Sequence, residues 1–369
     1  MHTPTRGRGA LSAPPGRFDR RPVEGIEDGW TPTGGPGALD EELPPPLDTV
    51  LQPERARSII TRNQSPDVGF EQSINPYRGC EHGCIYCYAR PSHAYVGLSP
   101  GLDFETRLFY KADAVRLLRA ELARPGYVCK PIMLGANTDP YQPVERRQHV
   151  TRDILEVLHE CSHPVAIITK GALIERDLDL LAAMASRNLV RVTFSIPTLD
   201  AALKRILEPR AASVAARLRL LRALSERGVP TGVFVAPVIP ALTDHELEAV
   251  LEACAEHGAT RANYVMLRLP HEVAALFEEW LQAHYPDRAR RVLAQVRDLR
   301  DGRLNDPCFG SRMRGHGAAA ELMRSRFALA CRRLRLSPDR QLDLDVHAFR
   351  PPRPATPATA RGGQLSLLD

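Results

Sequence analysis

Between about residues 56 and 285, short apolar, β-branched runs alternate with amphipathic stretches. The runs "SINPYRG" at 73–79, "KPIMLGAN" at 130–137, "PVAIITK" at 164–170, "LVRVTFSIP" at 189–197, "PTGVFVAPVI" at 230–239 and "ANYVMLRLP" at 262–270 predict six strands. Most are apolar on both faces, as strands covered by helices are. Helical periodicity predicts helices over 110–123, 143–160, 175–187, 200–227 (in two pieces), 243–257 and 271–284. Leu247, Val250, Leu251 and Cys254, for instance, form the one-sided stripe of an amphipathic helix. Six strand–helix units joined by right-handed crossovers imply a parallel sheet, either doubly wound or barrel-like.

The flanks break this rhythm. Residues 1–55 are rich in Pro and Gly ("PPG", "TGGPG", "ELPPPL") and read as an extended, partly ordered arm before a core at 56–285. Residues 286–350 read as a helical C-terminal extension containing the loop "DGRLNDPCFGSRMRGHG", and 351–369 as a flexible tail ending in "QLSLLD".

A hydrophobic content of 43% in 369 residues supports a large core. No apolar run approaches the roughly 18 residues of a membrane span. The longest, "VPTGVFVAPVIPAL", is interrupted by prolines. The start, "MHTPTRGRGALSAPPGRFDR", lacks the apolar stretch of a secretory signal, so a cytoplasmic protein with no membrane partner is expected. Net charge is +5, and of 49 basic residues only Lys111, Lys130, Lys170 and Lys204 are lysines. Such an arginine-rich balance is compatible with a nucleic-acid partner without requiring one. Neither GxGxxG after the first strand nor GxxxxGK[ST] occurs, which removes those phosphate cradles from consideration.

Eight cysteines occur, and five of them (Cys129, Cys161, Cys254, Cys308, Cys331) are scattered singly, as in a reduced compartment. Cys80, Cys84 and Cys87 form C-x3-C-x2-C on a loop after the first predicted strand. Thiolates select zinc, copper(I) or iron–sulfur clusters. Structural zinc needs a fourth ligand, for which His82 is at hand. A redox pair of Cys84 and Cys87 leaves Cys80 unexplained. A [4Fe–4S] cluster on three thiolates keeps one iron open to a small molecule, and Tyr86 offers an aromatic face to a flat ligand such as adenine.

This motif, with an aromatic residue before its last cysteine and a six-fold βα repeat behind it, resembles the radical S-adenosylmethionine superfamily over about 70–285. A closer resemblance is to the branch containing spore photoproduct lyase and uncharacterised relatives. It is carried by "RGCEHGCIYCYAR", "GLDFETRLFYK" at 101–111, "NTDPYQPVE" at 137–145, "ITKGALIERDLDLL" at 168–181 and "LEPRAAS" at 207–213. The resemblance implies an α/β fold, a partial (βα)6 TIM-like barrel with its site at the C-terminal strand ends. It further implies a [4Fe–4S] cluster on Cys80, Cys84 and Cys87. S-adenosylmethionine would contact Asn137, Thr138, Lys170 and Ser195, beside Tyr86. A one-electron donor such as flavodoxin or ferredoxin would reduce the cluster, and a 5′-deoxyadenosyl radical would abstract hydrogen from an unknown substrate, nucleic acid among the candidates.

Read from the residues, these positions also have plainer uses. Thr138 and Asp139 suit the cap of a turn, and Lys170 suits a snorkelling surface lysine. Glu208 and Arg210 of "EPR" suit either a ligand or an ion pair at a helix end. The sequence departs from the lyase at one point: Ala136 stands where the resemblance implies a hydrogen-donating cysteine, and Cys129 is at the other end of that strand. "QLSLLD" at 364–369 resembles peptides that dock on the DNA sliding clamp, with Leu365, Leu367 and Leu368 as apolar anchors and Gln364 at the rim. Packing of those leucines on the body is the plainer alternative. "RMRGHG" at 312–317 suits a phosphate-binding surface or a solvated basic loop. The expected function is therefore a radical S-adenosylmethionine enzyme, against the alternative of a non-catalytic zinc or iron–sulfur module in a DNA-associated protein.

Overall fold

A computed structural model describes residues 7–19, 47–338 and 342–352. Six parallel strands stand side by side in chain order: β1 (Gln72–Ile74), β2 (Ile132–Leu134), β3 (Val165–Thr169), β4 (Val190–Ser195), β5 (Thr231–Val238) and β6 (Arg261–Met266). Ile60–Arg62 pairs antiparallel on the outer edge of β1. Between the strands run α1 (Ala114–Leu122), α2 (Val150–Glu160), α3 (Leu178–Ala185), the pair α4 (Ala201–Leu207) and α5 (Val214–Glu226), and α6 (Leu247–Glu256). After β6 come α7 (Val273–His284), α8 (Pro286–Asp298) and α9 (Gly317–Leu334). Among the described residues β1 and β6 do not pair, so the sheet is an open, partial barrel.

The reason for this architecture is the doubly apolar strand. Ile132, Leu134, Val165, Ile167, Val190, Val192 and Phe194 are buried against Leu155, Leu158, Leu181, Leu221 and Leu251 of the covering helices. Each such side chain contributes about 1.5–3 kcal/mol when fully buried. A second core gathers Leu203, Leu207, Leu267, Phe277 and Trp280 with Cys84, Ile85 and Tyr86, so α4 and α7 pack beneath the cysteine loop. The register, with Thr169 opposite Phe194 and Ser195 opposite Phe234, brings the C-terminal ends of β3, β4 and β5 level under one loop cluster.

Several predicted boundaries are corrected. The strand expected over 73–79 ends at Ile74, because Pro76 has no N–H to continue the ladder. Tyr77–Arg78 joins a separate small sheet with Arg107–Tyr110 and Val50–Pro53. That sheet takes the start of the expected 110–123 helix, which begins only at Ala114, and the end of the expected arm. The helix expected over 143–160 breaks at His149, whose φ is 57°. Glu145 occupies the break: its carboxylate accepts from Thr151 N at 3.1 Å and Arg152 N at 3.4 Å, satisfying the N–H groups that open α2.

Within the expected arm, the described residues 7–19 pack on the body, with Ala10 fully buried and Leu11 nearly so. The expected helical extension is helical only as far as Leu334. Residues 342–352 contain no helix, and Phe349 packs against Tyr127 and His163 with centroids 5.4 and 5.3 Å apart. The tail motif at 364–369 lies outside the described residues. No described helix is long and apolar enough to cross a membrane.

Candidate active site

The cysteine loop leaves Tyr77–Arg78 and crosses the C-terminal ends of the barrel strands. Its conformation depends on two left-handed glycines, Gly79 at φ 77° and Gly83 at φ 67°. A Cβ on Gly83 would stand 2.6 Å from Glu105 Oε2, so position 83 admits no side chain as built. Cys80, Cys84 and Cys87 are free thiols, the first two buried and the third half-buried. All three line a cavity of about 450 Å³.

Arg90 holds the loop from beneath. Fully buried, it donates from Nε to Cys84 O at 2.9 Å, from Nη2 to Gly83 O at 3.2 Å and from Nη1 to Gly101 O at 3.0 Å. It also pairs with the equally buried Glu105. Glu105 in turn accepts the backbone N–H groups of Gly9 and Ala10, each at 2.9 Å. The N-terminal segment is therefore a strap tied to the underside of the loop. Gln142 secures the other flank, accepting from Glu81 N at 2.8 Å and donating to Gly79 O at 3.3 Å.

The loop after β2 carries Ala136, Asn137, Thr138 and Asp139, all lining the cavity. Asn75, in the break of the first strand, accepts from Asn137 N at 2.8 Å. Thr138 is 2% exposed and its hydroxyl donates to Tyr77 O at 3.0 Å, so that group is committed to the fold. Asp139 caps the turn by accepting from Tyr141 N at 2.9 Å, and it also ties β3 in, accepting from Thr169 Oγ1 and Lys170 N at 2.7 Å each. His82 Nδ1 lies 3.3 Å from its Oδ2. Burial alone would push the Asp139 carboxyl up, but His82 and these hydrogen bonds hold it down at about 2.

Lys170 follows β3 and faces inward, not onto the surface. Its ammonium stands 5.8 Å from the centroid of the Tyr86 ring and 4.0 Å from Glu208. Burial would lower its pKa, but Cys84 and Glu208 raise it above the ordinary lysine value. Glu208 is fully buried between Tyr86, which donates its hydroxyl to it, and Arg217, whose Nη2 is 2.5 Å away. Arg217 also donates to Ser195 O at 2.7 Å. Ser195 lines the cavity at the end of β4, its hydroxyl donating to Ala236 O at 3.1 Å. Of the "EPR" alternatives, the ion-pair one describes Glu208, with Arg217 as partner, while Arg210 pairs with Glu81 at 2.6 Å.

The eight residues expected from the resemblance to hold the cluster or contact S-adenosylmethionine line the same cavity: Cys80, Cys84, Tyr86, Cys87, Asn137, Thr138, Lys170 and Ser195. Missing from the sequence reading were Arg90, Glu105, Asn75, Gln142 and Arg217. Arg90, Glu105 and Gln142 stand inside the quoted motifs, a signal that went unread because their partners are distant in the chain. Ala136 is confirmed as a wall residue, with Tyr88 donating its hydroxyl to the Ala136 carbonyl, and Cys129 does not line the cavity. The expected basic loop "RMRGHG" is neither solvated nor a bare phosphate surface: Arg312 pairs with Asp67 at 2.5 Å and Arg314 donates to Asn263 at 2.5 Å. The loop closes the open side of the barrel.

The donor set suits an iron–sulfur cluster. Burial pushes all three thiols up, Cys84 to about 12, so an ion able to displace protons is what turns them into thiolates. Among the described residues no three His, Cys, Asp or Glu side chains converge on a point as the ligands of one metal ion do. A cubane instead takes each thiolate on a different iron. Three sulfurs on one loop, beside a cavity large enough for a small molecule, fit that arrangement.

Comparison with known proteins agrees. The profile of the Radical SAM superfamily matches residues 74–254. An uncharacterized protein of Mycobacterium tuberculosis is 35% identical over 302 residues, 81% of this chain and 82% of that protein. One of Methanocaldococcus jannaschii is 26% identical over 63% of this chain and 83% of its own length. Among solved structures, a spore photoproduct lyase complexed with dinucleoside spore photoproduct superposes with a TM-score of 0.54 at 15% identity, covering 77% of this chain and 79% of the other. That likeness is one of fold. With the matched profile, the C-x3-C-x2-C loop and the partial barrel together, this chain belongs to the radical SAM superfamily.

Proposed function

We propose that the protein is an enzyme that binds a [4Fe–4S] cluster through Cys80, Cys84 and Cys87 and reductively cleaves S-adenosylmethionine to abstract hydrogen from a substrate held in the barrel. The observation that carries this reading is the convergence of the three thiols, Tyr86, Asn137, Lys170 and Ser195 on one cavity. Such a cluster, with its fourth iron open, supplies the electron that splits the sulfonium and yields a 5′-deoxyadenosyl radical. The chain's own residues do the positioning. Lys170 offers a cation to a carboxylate, and it is partly neutralised by Glu208, so the pocket is not left with an unopposed buried charge. The Asn137 amide makes no hydrogen bond within the described residues and can meet a polar group of the ligand. Ile168, Val233 and Phe234 line the same cavity with apolar surface that excludes water from a reactive radical.

The protein would work in a reducing, cytoplasmic setting with a flavodoxin or ferredoxin as donor. Because Ala136 replaces the cysteine expected from the lyase resemblance, its product chemistry differs from a thiol-quenched repair. The test is anaerobic reconstitution. About four irons per chain and 5′-deoxyadenosine formed on reduction are expected, and Cys84→Ala is expected to abolish both. Zinc in place of iron, or a loaded cluster that leaves S-adenosylmethionine intact, would favour the non-catalytic alternative.

A further inference from the structure

A second cavity, of about 680 Å³, lies on the outer side of β6, against α9. Among the described residues its lining contains four arginines, Arg314, Arg324, Arg332 and Arg335, and no acidic residue. Arg324 and Arg332 project from one stripe of α9 together with Ala328, at i, i+4 and i+8. Arg324, Arg332 and Arg335 have no side-chain hydrogen bond or ion pair among the described residues, whereas Arg326 and Arg333 of the same helix pair with Glu248 and Glu252. Three like charges left together cost repulsion that an acid at a neighbouring position would have removed.

A second observation points to a ligand. Tyr264 lines this cavity and is 1% exposed, yet its hydroxyl has no hydrogen-bond partner among the described residues. An orphan buried hydroxyl costs about 1–3 kcal/mol until something hydrogen-bonds to it. The Arg314 guanidinium lies over the ring of Tyr264, 3.6 Å from its centroid, and reaches Asn263, which lines the barrel cavity. At the carbonyl end of α9, Arg335 N donates to Arg332 O and Leu336 N donates to Cys331 O at 2.9 Å, so two of the free carbonyls there are satisfied. On the same loop, Phe309 is 62% exposed, with Arg312 over its ring at 4.7 Å.

We propose that this pocket binds backbone phosphates of a single nucleic-acid strand, with Phe309 as a stacking platform for a base. Guanidinium groups form bidentate contacts with phosphate, and basic grooves interleaved with aromatic side chains are how single strands are held. A free polyphosphate shares the phosphate chemistry but has no use for an exposed aromatic ring. The loop 309–314 stands between the two cavities, contributing Arg312 and Met313 to the barrel side and Gly310 and Arg314 to the outer side. A strand held outside would present its neighbouring unit to the barrel. That last step alone rests on the radical-enzyme reading.

The test is binding of a fluorescent single-stranded oligonucleotide of about 12 nucleotides to the reconstituted holoenzyme, titrated against salt. Arg324→Ala/Arg332→Ala is expected to weaken binding about 10-fold and to flatten the log–log salt slope by about 1.4, two phosphate contacts' worth for a single strand. Tyr264→Phe and Phe309→Ala are each expected to weaken it by a few-fold. Inorganic tripolyphosphate is expected to compete only weakly. Unchanged affinity and slope in the double variant would overturn the proposal. Tight tripolyphosphate binding with no oligonucleotide binding would overturn the nucleic-acid assignment. Binding is read without reductant and S-adenosylmethionine cleavage separately with it, so a wild-type protein that binds the strand but, once reduced, leaves S-adenosylmethionine uncleaved sinks the enzyme reading and leaves this one standing.

Discussion

The cysteine end and the open seam of the barrel are built on different terms. Beneath the cysteines the cross-links are fully buried: Arg90 with Glu105, and Arg217 with Glu208, all at 0% side-chain exposure. Arg90, Glu105 and Arg217 make further hydrogen bonds to backbone and Glu208 accepts from the Tyr86 hydroxyl, so removing any one leaves a buried charge and other polar groups unsatisfied. At the seam, the loops around 63–70 and 309–314 are joined by a set centred on Arg312, 20% exposed, and Asp67, 5% exposed. Asp67 accepts from Arg312 and from Gly310 N at 2.7 Å, and Ser65 accepts from Arg312 at 2.6 Å. The first end is held in one geometry. The second closes the cavity with contacts that water can replace, as suits the side through which a substrate enters.

The largest test of that contrast is Arg90→Met. A buried carboxylate without its partner destabilises by about 3–5 kcal/mol. The expected outcome is a thermal unfolding midpoint lower by about 4–7 degrees or insoluble protein, and iron incorporation far below wild type. Midpoint and iron content near wild type would show that the loop does not depend on this pair. A smaller effect is expected at the seam. Arg312→Ala removes one partner of a largely buried pair but leaves Asp67 the Gly310 N–H, and is expected to cost about 1–3 kcal/mol. Reductive cleavage of S-adenosylmethionine without substrate should be unchanged, while oligonucleotide affinity shifts. If calorimetry finds this variant as destabilised as the Arg90 one, the two ends do not differ in the way described. The smallest effect is expected from deleting residues 364–369. Cluster content and S-adenosylmethionine cleavage should match the full chain, and only binding to an immobilised sliding clamp should be lost. Absence of clamp binding by the full chain would end that idea.

How much of this was legible beforehand depends on how far apart the interacting residues lie. The three cysteines, Tyr86 and the strand-end positions could be read because motif and periodicity are local. The strap could not. Glu105 reaches Gly9 across 96 positions, and a Pro- and Gly-rich stretch gives no periodic sign that part of it will be buried. Glu208 was seen but its partner was not, since Arg217 looks like any arginine of an amphipathic helix until α5 is packed against β4. The break at His149 was hidden for a similar reason. The pattern over 143–160 is helical throughout, and only the Glu145 carboxylate, turned onto the N–H groups of Thr151 and Arg152, makes a second helix start there.

The alternation of doubly apolar strands with amphipathic helices was enough by itself to determine a parallel α/β sheet covered by helices, because burial of apolar surface acts residue by residue and needs no knowledge of distant partners. The spacing of three thiols on one loop narrowed the chemistry to soft-metal, cluster or redox use, and the resemblance carried by the surrounding motifs chose among them. Only the tertiary structure decided which polar groups face that chemistry and which hold the frame. Arg90, Glu105, Glu208 and Arg217 became supports through burial in pairs. Tyr264 with Arg314, Arg324, Arg332 and Arg335 became a basic pocket only when α9 was laid along β6. Charges act through distance and dielectric, and both are set by the packing of elements far apart in the chain.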